Sequence, residues 1–144
     1  MTAQTGNDHG PNPYVVDIEK ATLDNGAFRD TLWTGKNLQL TVMTIPVGGE
    51  IGAEIHDDHD QFLRLEAGEL HAKIGPSEND LEVDQVIGAD WAAFVPAGKW
   101  HNFVNESDAE AKLYSIYAPP EHNPGTRHET KADADGDPQE TDGV

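Results

Sequence analysis

The chain has no cysteine. That excludes disulfides, thiolate metal ligands and cysteine nucleophiles together, so any metal site must use imidazole, carboxylate or amide oxygen. Basic residues are scarce: 9 Lys and Arg stand against 27 Asp and Glu, a formal net charge of −18. Repulsion from phosphates argues against nucleic acid and anionic membranes as partners. Long apolar runs are missing too, and none approaches the roughly 18 residues of a membrane span. Met1 to Pro13 is polar and carries no apolar stretch of the secretory kind, so the expected location is the cytoplasm.

What is present fits one domain: 144 residues suffice for a single core and not comfortably for two. Glu121 to Val144 holds seven acids and two bases, or −5, which leaves −13 on the rest of the chain. Salt screens self-repulsion of this kind, so the acidity is read as adaptation to a high-salt cytoplasm. Residues 1–13 read as a loose arm. Residues 119–144, rich in Asp, Glu, Gly and Pro, read as an acidic, disordered tail unable to repay its ordering entropy. Asp133, Asp135 and Asp137 imitate the start of a calcium loop, but Pro138 and Val144 stand where glycine and glutamate are needed.

Between these ends, residues 14–118 consist of short β-type segments separated by turns. Expected strands are Tyr14–Ile18, Phe28–Thr34, Leu38–Ile45, Ala53–His56, Gln61–Glu66, Leu70–Ile74, Leu81–Ile87, Trp91–Val95, His101–Asn105 and Ala111–Ala118. Helix signal is confined to Asp17–Leu23. The expected fold class is therefore all-β, a sandwich or barrel.

The histidines narrow the search for chemistry. His9, His122 and His128 fall in the arm and tail and read as solvated, and His71 reads as a surface or satisfied strand residue. Glu54 and His56 are two apart on one strand, so their side chains share a face. Gln61 opens the next strand after the acidic turn Asp57–Asp60. His101 begins a strand after the turn Pro96-Ala97-Gly98. A barrel interior could bring these four together as a mixed nitrogen and oxygen set suited to a first-row divalent ion. A three-histidine set of His56, His59, Gln61 and His101 is the alternative. His59 lies in the turn, however, and strand spacing does not place it beside His56; its bland reading is a solvent-exposed turn residue. Leu63 and Leu65 share the Gln61 face, Arg64 points away, and Asn105 reads as a local loop hydrogen-bonder.

Two segments resemble the paired motifs of the cupin superfamily. The first runs Gly48, five residues, Glu54, one residue, His56, four residues, Gln61, six residues, Gly68. The second runs Asp90, five residues, Pro96, Ala97, Gly98, two residues, His101, three residues, Asn105. Every interval fits the family pattern. Glu54 stands in place of the first histidine, Gln61 in place of the glutamate, and Asp90 in place of a glycine. The first two changes offset each other, leaving one carboxylate. A buried, ionised Glu54 without a cation would be costly, which favours a retained site over a metal-free barrel.

The resemblance implies a single double-stranded β-helix (jelly-roll) barrel holding one divalent ion such as iron, manganese, nickel or zinc. It further implies a homodimer, and a metal-dependent enzyme (dioxygenase, isomerase or lyase) acting on a small soluble molecule. A non-catalytic module that binds or senses a small ligand is the alternative.

Overall fold

The computed structural model describes residues 7–137. Their elements, in chain order, are α1 (Ile18–Asp24), β1 (Arg29–Thr34), β2 (Gln39–Ile45), β3 (Glu54–Ile55), β4 (Asp60–Ala67), β5 (Leu70–Gly75), β6 (Val83–Ile87), β7 (Ala92–Val95), β8 (Trp100–Val104), β9 (Ala111–Ala118), β10 (Arg127–His128) and α2 (Lys131–Asp135). The strands form a six-stranded sheet ordered β10-β1-β2-β9-β4-β7 and a four-stranded sheet ordered β3-β8-β5-β6. Every pairing is antiparallel.

Alternation places the core. In β4, Leu63 and Leu65 are buried while Phe62 and Arg64 are only partly covered. In β9, Ala111, Leu113, Ser115 and Tyr117 are buried in the same alternation. Leu63, Leu65, Ala111 and Leu113 meet Leu70, Ala72, Ile74 and Phe103 of the opposite sheet in one apolar cluster. Gln61 and Tyr117 extend these inward rows past the apolar residues, so one end of the barrel is polar. Arg64 turns outward to Glu66 and Asp90.

Strand β2 is buried along its whole length. Met43 and Ile45 belong to the main core, whereas Leu40 and Val42 pack with Leu32 beneath Ile18 and Ala21 of α1. The helix forms where expected, and Asp17 caps it by accepting a hydrogen bond from the Lys20 N–H.

Three expectations need correction. Tyr14–Ile18 is not a strand: residues 14–17 pair with no sheet and lead into α1, because Asp17 serves as its cap. Residues 7–13 are not loose. The His9 N–H donates to Leu32 O, His9 stacks on Tyr14, and Trp33 Nε1 donates to Asn12 O. Nor are residues 119–137 a solvated tail. Gln39, fully buried, accepts from the Glu121 and His122 N–H groups and donates to His122 O. Beyond it β10 pairs with β1, and Thr130 and Asp133 close a capping box on α2. This segment is held by hydrogen bonds to its backbone rather than by apolar burial, so its low apolar content misled the sequence reading. Residues 1–6 and 138–144 of the expected arm and tail lie outside the described residues.

Candidate metal centre

Strands β3 and β8 pair with Glu54 directly opposite His101, so both side chains emerge on one face. The intervening loops are pinned to each other. Asn102 accepts from Gly52 N–H and donates to Glu50, fixing the approach to β3. Gly98, at φ +88, sits in the turn expected of Pro96-Ala97-Gly98, and its N–H donates to His56 O at 2.7 Å. Asp60 accepts from Ala97 N–H. The two motif segments are thus tied together by backbone hydrogen bonds around the site.

Glu54, His56 and His101 present ligand atoms within 4.8 Å of one another. His56 Nε2 lies 3.3 Å and His101 Nε2 3.8 Å from Glu54 Oε1. Both nitrogens are buried and make no hydrogen bond, as does Gln61 Oε1. Orphaned buried acceptors of this kind are costly unless something binds them, and a cation beside Glu54 would satisfy both imidazole nitrogens at once. His101 Nδ1 is 3.1 Å from Lys99 O. A carbonyl only accepts, so Nδ1 carries the proton and Nε2 keeps its lone pair for an ion. Burial lowers the pKa of His101 and so favours that neutral form. Gln61 Nε2 donates to Ser115 Oγ and, at 3.4 Å, to Tyr117 OH.

A second group shares His56. His56, His59 and Glu121 also offer ligand atoms within 4.8 Å of one another. His59 Nε2 lies 2.7 Å from Glu121 Oε1, and His56 Nδ1 lies 3.5 Å from Glu121 Oε2. His59 Nδ1 faces Asp58 Oδ1 at 2.7 Å, so the ring lies between two carboxylates. The ring of His56 stacks on His59 at 4.6 Å and tilts toward His101 at 5.0 Å.

The electrostatics suit a cation. Burial alone would raise the Glu54 pKa, but contact with His56 and the charges of His56, Arg29 and His101 outweigh it, and Glu54 is held at about 2. Burial likewise pulls His56 down, yet Glu54 and Glu121 pull harder and raise it. The field that draws a proton to His56 is the field that would hold a metal ion.

All four expected ligands therefore reach this end of the barrel, and Glu54, His56 and His101 form one cluster. His59 is a correction: it is buried rather than an exposed turn residue, because the bend at Asp57-Asp58 folds it back onto His56. Glu121 was missed. The signal available was an acid–histidine pair just past β9, in line with inward-facing Tyr117. His122 and His128, read as solvated, are buried; His9 is exposed. His71 is the satisfied strand residue expected, between Asp84 and Glu106.

A family model described as the cupin domain matches residues 41–117. The uncharacterized protein YrkC of Bacillus subtilis is 52% identical over 127 residues, covering 88% of this chain and 68% of that protein. The uncharacterized protein L612 of Acanthamoeba polyphaga mimivirus is 35% identical over 113 residues, covering 78% of this chain and 69% of its own length. The crystal structure of BH2720 from Bacillus halodurans superposes with a TM-score of 0.89 at 50% identity, covering 91% of this chain and 99% of that one. No helix among the described residues is long and apolar enough to cross a membrane.

Proposed function

The chain belongs to the cupin family, and on that footing we propose that it is a metal-dependent enzyme acting on a small soluble molecule, with one divalent transition ion held by Glu54, His56, Gln61 and His101. The observation that carries this reading is the convergence of two buried, unpaired imidazole nitrogens on the Glu54 carboxylate. Such an ion supplies Lewis-acid polarisation of a substrate oxygen. A neutral imidazole has one lone pair, so His56 can serve only one of the two clusters at a time. With Nε2 turned to Glu54, Nδ1 carries the proton toward Glu121, which then orients the ring. The Asp58–His59–Glu121 chain lies against this ring, a suitable place to hold and return a proton. That favours isomerase or lyase chemistry, which moves protons.

The second reading puts the ion on His56, His59 and Glu121, favoured by the short approach of His59 to Glu121. Elemental analysis of Glu54→Ala, His101→Ala, His59→Ala and Glu121→Ala separates the two. Metal lost from the first pair and retained in the second supports the proposed set, and the reverse pattern moves the ion. Wild type that takes up no metal on reconstitution leaves a metal-free, ligand-binding barrel.

A further inference from the structure

A cavity of about 220 Å³ is lined among others by Phe28, Arg29, Gly52, Glu54, His122 and Lys131. Its wall contains an unusual group. Arg29 is 96% buried, at 4% relative exposure, in a chain where acids outnumber bases three to one (27 to 9). Even so, no carboxylate among the described residues pairs with it. Among the described residues its one side-chain polar contact is Nη1 with His128 Nδ1 at 3.3 Å, and its Nε is buried with no acceptor. His128 Nε2 in turn faces Asp137 at 3.0 Å, so Nδ1 is left to accept from Arg29. The guanidinium also lies over the Phe28 ring, 5.3 Å from its centre. Arg29 is therefore held in place by groups that do not neutralise it. Leaving a buried cation uncompensated is expensive.

Glu54 lines the same cavity, and the charge of Arg29 adds to that of His56 in lowering its pKa. It forms no ion pair with Arg29, however, and in the proposed function its charge is committed to the metal. Lys131, the second cation of the cavity, is already paired with Asp135 on the rim. With Glu54 committed to the metal and Lys131 paired with Asp135, the lining carries one surplus positive charge, that of Arg29. Planar carboxylates match a guanidinium fork. A phosphate dianion would overcompensate a single charge.

We propose that this cavity binds the carboxylate group of the substrate on Arg29, beside Glu54, so that the enzyme acts on small carboxylic acids. The assignment rests on the metal reading through Glu54 alone. The volume limits the acid to a small one.

The test is calorimetric titration of propionate, a carboxylate that does not chelate, and of inorganic phosphate at fixed ionic strength. Wild type, Arg29→Gln and Lys131→Glu are compared, with metal content measured on each sample. The expected result is one propionate per wild-type chain, weakened roughly tenfold or more in Arg29→Gln at unchanged metal content, the loss of a charge-assisted hydrogen bond. Lys131→Glu, on the rim, should weaken it as well, and decides the matter should Arg29→Gln fail to fold. Equal affinity in the folded variants overturns the proposal. So does phosphate binding more tightly than propionate, or no propionate binding by the wild type. Propionate binding that depends on Arg29 in a protein devoid of metal would sink the metal centre and leave the anion site standing. Retained metal without propionate binding would do the opposite.

Discussion

Asp90 occupies a position where the family motif has glycine, and its φ of +74 explains the preference. Left-handed backbone is strained for most side chains, and Asp is among the few that tolerate it. Here its carboxylate also accepts from Arg64 Nη2 at 3.0 Å, an exposed pair of small value. Asp90→Gly should therefore change stability by less than about 1 kcal/mol, while Asp90→Val should cost about 1–2 kcal/mol through backbone strain. Denaturant titration of both variants checks this, and equal losses would remove strain as the cause. Gln61 invites a second substitution. Its amide donates to two hydroxyls, which can reverse their hydrogen bonds, so Gln61→Glu should retain the metal and tighten it by adding a carboxylate. Loss of metal in Gln61→Glu, read by elemental analysis, would remove Gln61 from the ligand set. His71 sets a pH dependence. Contacts with Asp84 and then Glu106 raise its pKa in the folded state. The stabilisation is thus present below its ordinary value near 6.5 and is lost as pH rises through the folded value. His71→Ala should destabilise by no more than about 1 kcal/mol near pH 5.5 and by less near pH 8.5, since the pair partners are largely exposed. A penalty that grows with pH would contradict this account.

At the scale of elements, the segment after β9 closes the end of the barrel that holds the candidate metal centre. It brings Glu121 to His56 and His59 and adds β10 to the β1 edge. One side chain, Gln39, makes three hydrogen bonds to its backbone. Gln39→Ala should cost about 2–3 kcal/mol, because buried N–H and C=O groups lose their partners. Hydrogen exchange should show the extra opening confined to residues 121–128, ahead of the barrel strands. Uniform loss of protection would mean that the segment and the barrel open as one unit. Most elements were legible from pattern: β4, β5 and β9 alternate cleanly, and α1 carries its cap in the sequence. The sequence reading failed at residues 14–17 and 121–137. Those segments attach by caps and by side-chain hydrogen bonds to distant partners, and periodicity carries no record of either.

For the whole molecule, charge dominates. With −18 spread over 144 residues, self-repulsion opposes compaction and salt relieves it. The melting temperature should rise with potassium chloride over the molar range, and a flat or falling curve would argue against adaptation to high salt. Among the described residues, strand β7 ends the larger sheet with an unpaired edge, and Phe94 on it is 72% exposed. We propose that a second copy pairs there, since open edges otherwise invite uncontrolled association. Light scattering in high salt should then give twice 15.7 kDa, and a single 15.7 kDa species would exclude the pairing.

The spacing of residues alone determined that Glu54 and His56 share a face, that Gly98 makes a turn and that the chain is all-β. These follow from the two-residue period of a strand and from backbone preferences, both local properties. Only the tertiary structure decided that His59 turns inward, that Glu121 completes a second cluster on His56, and that Arg29 stands unpaired beside Glu54. Those outcomes depend on which distant segment satisfies which buried donor: Gln39 captures residues 121 and 122, and His128 returns to Arg29. Competition among long-range hydrogen bonds settles such placements, and it leaves no periodic trace in the chain.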